Sequence, residues 1–502
     1  MRATARREGV NMNQLNRGSL DRREFLKRST AFASLCAAGA LPARLGRAET
    51  TLEGASRWVV LITIDTLRAD HCSVFGYPRS TTPFLERLAE NGTKFERCYS
   101  TTGTTYPSHT SIFTGLDLPQ HGVMANRSPD FTHEAVTMAS LFAGQGYKTA
   151  AFVSAPFLTK ISVGFQHFDA NLKDEAIPYR WSEDTIGAAM AYLEKQPADE
   201  PLFLWVHLFD PHEWMSAKEP QGLLECMQVD AEEQERLFTY WTEVQKKELR
   251  VDQTCVSAMR YGRRDYFIEK NLQYDSRIRY TDDWVSKLFE VVEAQAPKDG
   301  ALWLVTADHG EALGCHHYDQ HARYLYNDII HVPLIAYASN GGLAGNAVSQ
   351  PVRHPDIWAT LAALQGWKTP DGHPARHGVP LFHADGSVNG GLGDRRMFAQ
   401  RQVKHPEYKT SLSWVDDFVY CLHDETYKYI INGDGNDELY RLIDDPMERV
   451  NLVAELTAEA EAWRAEAAKR REELVTGSFA AGENAAAPSA EEEEILRSLG
   501  YI

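Results

Sequence analysis

Past its first fifty residues, this 502-residue chain has no stretch apolar enough to cross a bilayer, which takes about 20 consecutive apolar residues. Basic residues are the minority charge, 52 against 70 acidic, for a formal charge of −18. General nucleic-acid binding needs a basic footprint to displace counterions from phosphates and is excluded on that ground. A small anionic substrate is not excluded, because a pocket can be locally positive on an acidic protein. The seven cysteines are scattered, with no close pair to suggest a zinc knuckle or a redox motif. There are no internal repeats. What is present, 11% aromatic and 24% charged residues, is globular and not disordered composition.

Residues 1–48 read as an export address. Arg22-Arg23-Glu-Phe25-Leu26-Lys27 precedes a weakly apolar run from about Ser29 to Leu41 and small residues up to Ala48. A charged region, a short apolar region and a small-residue exit make a signal peptide, and the arginine pair resembles the bacterial twin-arginine signal. Leu35-Cys36 lacks the small residue that lipoprotein processing needs before cysteine. The expected mature chain keeps 42 basic and 67 acidic residues, a formal charge of −25. It is expected in the periplasm or outside the cell, with no transmembrane anchor.

Strand and helix patterns then alternate. Trp58–Ile64 is a continuous apolar run, as in a strand buried on both faces. Helical segments such as Ser182–Lys195 and Tyr274–Ala294 lead into apolar runs Leu202–Leu208 and Leu302–Thr306, and Val332–Ala338 adds another strand. This is α/β grammar: a mostly parallel central sheet flanked by helices, over residues 49–395. Residues 213–270 form a helical insertion, a candidate lid rich in Trp214, Phe238, Tyr240, Trp241, Tyr261, Tyr266 and Phe267, with Arg260, Arg263 and Arg264. From residue 396 the grammar changes to short strands separated by turns such as Asn432-Gly433-Asp434-Gly435. Residues 396–475 therefore read as a small C-terminal antiparallel-sheet subdomain, and 476–502 as a linker and terminal helix.

In parallel sheets ligands sit beyond the carboxyl ends of the strands. There the chain delivers Asp65 after the first strand and Asp308-His309 after Leu302–Thr306. Two carboxylates and an imidazole are a plausible shell for a divalent cation. Between them, a hydroxyl-rich loop from Thr101 runs into Pro107, which suits the first turn of a helix that ends at Gly115. Thr105 is expected just ahead of that helix, where dipole and free N–H groups favour an anion. A hydroxyl beside a cation there becomes a usable nucleophile.

Ile64-Asp65-Thr66-Leu67-Arg68-Ala69-Asp70, Pro107-Ser108-His109, Val206-His207-Leu-Phe-Asp210-Pro211-His212 and Thr306-Ala-Asp308-His309-Gly310-Glu311 together resemble the sulfatase branch of the alkaline-phosphatase superfamily. Asp437-Glu438-Leu439-Tyr440, Asn451-Leu452 and the terminal Leu-Gly-Tyr-Ile are also typical. The resemblance implies an alkaline-phosphatase-like fold and one divalent ion (Mn, Zn, Ca or Mg) held by Asp65, Asp308, His309 and the nucleophile. The family's nucleophile lies two residues before the proline, which here is Thr105. His212 matches the histidine facing the transferred or leaving group, and His207 and Asp210 belong to the same block as supporting residues. The implied substrate is a sulfate or phosphate ester, with a lipid or glycan compatible.

The departures are as informative. No cysteine of the mature chain lies in the Cys-X-Pro-X-Arg block that is oxidised to formylglycine, so an aldehyde nucleophile is excluded. His109 replaces that block's arginine and Thr66 the usual second metal-binding aspartate. Gln320 before His321 replaces the sulfate-clamping lysine, leaving Arg323 as the alternative clamp. Trp214, four residues after Asp210, makes a second metal site incomplete. A covalent threonyl ester follows, with His212 or His321 protonating the leaving alkoxide. Phosphodiester and phosphonate chemistry is favoured somewhat over sulfuryl chemistry. Transfer to an acceptor alcohol, and a degenerate member that binds anions without turnover, stay open.

Overall fold

The strands of the large sheet are β1 (Trp58–Ile64), β2 (Thr93–Tyr99), β3 (Lys148–Phe152), β4 (His167–Asp169), β5 (Leu202–Leu208), β6 (Ala301–Ala307), β7 (His331–Ala338), β8 (Asn346–Val348) and β9 (Val352–Arg353). The computed structural model describes residues 57–476 apart from 129–130, 132–135, 172–178, 215, 217–228, 247–263, 344, 368–376, 402–418 and 433–434. The expected export signal, the segment 477–502 and more than half of the 213–270 insertion therefore lie outside the described residues.

Among those residues the sheet order is β4-β3-β5-β1-β6-β7-β2-β8, with β9 also paired to β2. β4, β3, β5, β1 and β6 run parallel to one another, whereas β7 pairs antiparallel with both β6 and β2. The sheet is thus mixed and mostly parallel, flanked by helices. All seven residues of β1, β5 and β6 are buried, which is why these strands read as unbroken apolar runs. Val59, Leu61 and Ile62 are fully buried, and each contributes about 1.5–3 kcal/mol by leaving water.

A second sheet is an antiparallel meander of β10 (Met397–Arg401), β11 (Val419–His423), β12 (Tyr427–Ile431) and β13 (Glu438–Arg441). Alternate side chains face opposite ways. Met397, Ala399, Val419 and Cys421 pack on Tyr99, Leu325, Tyr326 and Ile330 of the large domain. Phe398, Leu422, Tyr429 and Leu439 pack on Trp463 and Leu474 of the Thr457–Thr476 helix.

Polar contacts lock this junction. The fully buried Lys428 and Glu448 pair at 2.7 Å, and Glu448 also accepts the Asn327 N–H at 2.5 Å. The His316 ring stacks on Tyr326 with centroids 3.6 Å apart. Its Nδ1 faces Asp328 Oδ2 at 3.3 Å and its Nε2 faces the Glu448 carbonyl at 3.2 Å. Both partners only accept, so both ring nitrogens must carry protons. Burial opposes that charge, but Asp328 and Glu448 push the ring up to about 9. Among the described residues Cys72, Cys98, Cys315 and Cys421 are buried and form no disulfide.

Candidate active site

Strand register places the acidic residues. Ile64 lies opposite both Leu208 of β5 and Ala307 of β6. Asp65 and Asp308 therefore leave adjacent parallel strands side by side, and the Asp65 N–H donates to the Leu208 carbonyl at 2.8 Å. Thr66 turns the chain at φ 56°, an unusual conformation for a β-branched residue. The turn is fixed from both sides: Thr66 N–H donates to Asp308 Oδ1 at 3.2 Å, and its carbonyl accepts the Tyr274 hydroxyl at 2.5 Å.

Asp65, Asp308 and His309 are each fully buried. Asp65 Oδ2 lies 3.3 Å from His207 Nε2, while His207 Nδ1 accepts the Ser154 N–H at 3.4 Å. The second contact fixes the His207 proton on Nε2, so that it donates to Asp65. Asp308 Oδ1 accepts the backbone N–H groups of Thr66 and His309, the latter at 2.8 Å. His309 Nδ1 donates to the Gly310 carbonyl at 3.0 Å, leaving Nε2 with its lone pair.

Each of the three residues thus spends one side-chain atom on orientation and keeps another. Asp65 Oδ1 and Asp308 Oδ2 have no hydrogen-bond partner among the described residues, and His309 Nε2 lies 3.3 Å from Asp308 Oδ2 and 3.9 Å from Asp65 Oδ1. The three ligand atoms lie within 4.8 Å of one another. Burial and the neighbouring Asp308 charge push Asp65 up to about 8. Asp308 stays below its usual range, against burial, through His309 and His109. Two buried carboxylates with orphaned oxygens fit a divalent cation, which would supply the charge that the protein leaves uncompensated.

Thr105 is the first residue of the Thr105–Thr114 helix, with Thr104 as its N-cap and Gly115 closing it at φ 70°. The sequence places it one position earlier, just ahead of the helix. Its hydroxyl lies 3.2 Å from His309 Nε2. Ser108, one turn on, donates to the Asp308 carbonyl at 2.7 Å and lies 3.1 Å from His354 Nδ1. Ser108 therefore bolts the helix start to the end of β6 and sets the Thr105–His309 distance.

The remaining candidates separate. His109 sits beside the triad, its Nδ1 3.8 Å from Asp308 Oδ2, but both ring nitrogens are engaged: Nδ1 donates to the Thr105 carbonyl at 2.8 Å, and Nε2 accepts from Thr63 Oγ1 at 3.0 Å. Trp205 Nε1 in turn donates to that hydroxyl at 2.9 Å. Burial holds His109 neutral at about 3, so it offers no charge in place of an arginine. Asp210 accepts the Ser182 N–H at 3.0 Å and its hydroxyl at 2.5 Å, anchoring the Ser182–Leu193 helix. The Gln320 carbonyl accepts the Ala312 N–H at 3.2 Å in a turn. Arg323 lies over the rings of Tyr318 and Tyr324, 5.7 and 5.0 Å from their centroids.

His212 and His321 do meet the triad. The His321 ring is 4.5 Å from His309 and 5.0 Å from His212. His212 stacks on Phe209, and its Nδ1 lies 3.1 Å from Glu213 Oε1. Burial opposes its charge, yet Glu213 and Asp65 push it up to about 9. His321 is held well below its ordinary value by burial and the His212 charge.

Three residues emerge only from the structure. Glu311 Oε2 lies 3.2 Å from His321 Nδ1 and accepts Trp214 Nε1 at 3.3 Å, and burial raises this carboxyl to about 7. Trp214, an obstacle to a second metal in the sequence, here orients Glu311. Arg68 is buried and donates to the carbonyls of Glu311 and Ala312 at 2.9 and 3.3 Å and to Asp70 at 2.6 and 2.8 Å. It ties the loop after β1 to the loop after β6. Glu311 and Arg68 stand inside motifs visible in the sequence, which was the available signal; Ser108 stands inside Pro107-Ser108-His109.

The Sulfatase family model matches residues 57–367. An arylsulfatase of Clostridium perfringens is 21% identical, over 79% of this chain and 90% of the relative. A Delta 4,5-hexuronate-2-O-sulfatase of Bacteroides thetaiotaomicron is 22% identical, over 78% and 84%. The crystal structure of a phosphonate monoester hydrolase of Agrobacterium radiobacter superposes with a TM-score of 0.64 at 20% identity, covering 83% of this chain and 96% of that one. Among the described residues no helix is long and apolar enough to cross a membrane.

Proposed function

The chain belongs to the Sulfatase family, a family of ester hydrolases, and from that premise we propose that Thr105 is its nucleophile and that phosphonate monoesters and phosphodiesters are better substrates than sulfates. The observation that carries this reading is the Thr105 hydroxyl at a buried helix start, 3.2 Å from the free nitrogen of His309. A divalent cation on Asp65, Asp308 and His309 would offset charge on the ester oxygens and acidify the Thr105 hydroxyl.

The chain's own groups then divide the work. Thr105 Oγ1, its proton released to solvent, forms a bond to phosphorus (or sulfur) while the bond to the ester alkoxide breaks on the opposite side. The Thr105–Thr114 helix start favours the anionic centre through its dipole and free N–H groups. His212, protonated at neutral pH, gives its proton to the departing alkoxide. Water bonds to phosphorus (or sulfur) as Thr105 Oγ1 departs; neutral His321, backed by Glu311, accepts the water proton and releases it to solvent, and Oγ1 takes a proton from solvent to restore the hydroxyl. A threonyl ester is stable and its second step needs this separate activation, which favours phosphoryl over sulfuryl transfer. The arylsulfatase and hexuronate sulfatase relatives support sulfate esters as the second arm. Export by the twin-arginine route is part of the proposal, supported by Arg22-Arg23.

The test is turnover of 4-nitrophenyl sulfate, 4-nitrophenyl phosphate, bis(4-nitrophenyl) phosphate and a 4-nitrophenyl phosphonate with Mn²⁺ or Zn²⁺, wild type against Thr105→Ala. Thr105→Ala should lose all turnover, and mass spectrometry of quenched wild type should find the adduct on Thr105. Activity surviving in Thr105→Ala refutes the nucleophile. No turnover of any ester refutes hydrolysis in favour of anion binding.

A further inference from the structure

Three consecutive residues past the end of β5 serve the two histidines that meet the triad. His212 stacks on Phe209 with ring centroids 4.1 Å apart, and its Nδ1 lies 3.1 Å from Glu213 Oε1. Trp214 Nε1 donates to Glu311 Oε2 at 3.3 Å, the oxygen that faces His321 Nδ1 at 3.2 Å. Each histidine thus has a carboxylate of its own at Nδ1, and the two rings stand edge to face 5.0 Å apart. The carboxylates differ in setting. Glu311 keeps 2% of its side chain in solvent and Glu213 15%, and a charge costs less to hold where water still reaches it.

Glu213 is held in the frame of the protein. Arg277, fully buried on the Arg264–Gln295 helix, donates Nε to the Glu213 carbonyl at 2.8 Å and a terminal nitrogen to the Ser216 carbonyl at 3.1 Å. Tyr274, one turn earlier on that helix, donates to the Thr66 carbonyl at 2.5 Å. One helix face therefore braces both the turn behind Asp65 and the turn that carries His212 and Glu213. The Phe209 ring sets the plane of the imidazole, and Glu213 sets its rotation within that plane. With Nδ1 given to Glu213, the ring has Nε2 left to act with. Against burial, the hydrogen bond to Glu213 and the Asp65 charge raise the ring's proton affinity.

We propose that Glu213 is a positioning residue for the departing alcohol: by accepting the Nδ1 proton it holds His212 with its second proton on Nε2, so that the site expels alcohols too basic to leave unaided. The role in turnover rests on the hydrolase reading; the hold on the ring does not. In the step, the electron pair of the breaking bond goes to the alcohol oxygen, which takes the Nε2 proton. The imidazole left behind is neutral, keeps its Nδ1 proton hydrogen-bonded to Glu213, and regains an Nε2 proton from solvent. The substrates reached in this way are esters of aliphatic alcohols, such as sugar or polyol hydroxyls, as well as of phenols.

Two experiments on the full chain test this. In the first, kcat/KM is measured at pH 7 for the 4-nitrophenyl and benzyl esters of methylphosphonate. The 4-nitrophenolate leaves without a proton, whereas the benzyl alkoxide needs one. Glu213→Leu should lower the benzyl to 4-nitrophenyl ratio about 10- to 100-fold, part of what a positioned acid supplies. Glu213→Ala, which adds no bulk, should do the same. In a His212→Gln background, Glu213→Leu should leave the ratio where it stands. A ratio that keeps its wild-type value, one that still falls without His212, or a wild type that turns over only the 4-nitrophenyl ester overturns the proposal. In the second, long-range proton–nitrogen spectra of Zn²⁺-loaded protein with isotope-labelled histidine, assigned against His212→Gln, read which ring nitrogens hold protons. His212 should be protonated at Nδ1 in wild type and should lose that signature in Glu213→Leu. Identical His212 signals in the two proteins overturn the proposal, even where no ester is turned over and the hydrolase reading has failed.

Discussion

His316 offers a quantitative check on how the C-terminal sheet is held. Its two nitrogens meet a carboxylate and a carbonyl, so the junction needs the imidazolium. The folded value of about 9 lies above the ordinary 6.5. A raised value means stability that is complete below pH 6.5 and lost as pH climbs through 9. Between pH 6 and pH 10 the loss is about 3 kcal/mol, at ~1.36 kcal/mol per tenfold shift in proton affinity. With an unfolding entropy of about 2.1 cal/mol/K per residue over roughly 400 residues, that is about 3–4 °C in Tm. His316→Phe keeps a ring against Tyr326 and removes both donors. Differential scanning calorimetry of the two proteins at pH 6 and pH 10 should show the wild-type advantage shrinking by about that amount. A gap that is the same at both pH values, or widens with pH, would refute the imidazolium.

Metal removal gives a second expectation. Saturating Mn²⁺ or Zn²⁺, at about 100 times its dissociation constant, should stabilise the protein by about 2.7 kcal/mol, read as a rise in Tm. Asp65→Asn should abolish that rise while raising the Tm of the metal-free protein, because it removes one of two repelling buried carboxylates. An undiminished metal response in Asp65→Asn would sink the triad. Replacing Arg22 and Arg23 by lysine should hold the chain in the cytoplasm of a bacterium with the twin-arginine route. Equal amounts in periplasmic fractions would refute the export reading.

What the sequence disclosed follows from where information is local. Trp58–Ile64 and Leu202–Leu208 match the strands to the residue, because strands buried on both faces must be apolar throughout. β2 went unread: its Lys94, Glu96 and Arg97 interrupt the pattern. β4, β8 and β9 are two or three residues long and carry no periodicity. Asp65, Asp308, His309 and Thr105 were legible as a cluster since strand ends and a helix start converge by rule. The differing fates of His109 and Asp210 were not, because they depend on Thr63, Trp205 and Ser182, distant in sequence.

The hydrogen bond from Gln400 to Thr101 joins residues 299 positions apart, and this sets an order of events in synthesis. At about 5–20 residues per second, roughly 15–60 s pass between emergence of the loop that begins at Thr101 and of the strand that holds it. During that interval Tyr99 and Ile330 also lack the cover of β10 and β11. The contact that holds the Thr101 loop against β10 therefore forms late, when most of the chain has been made.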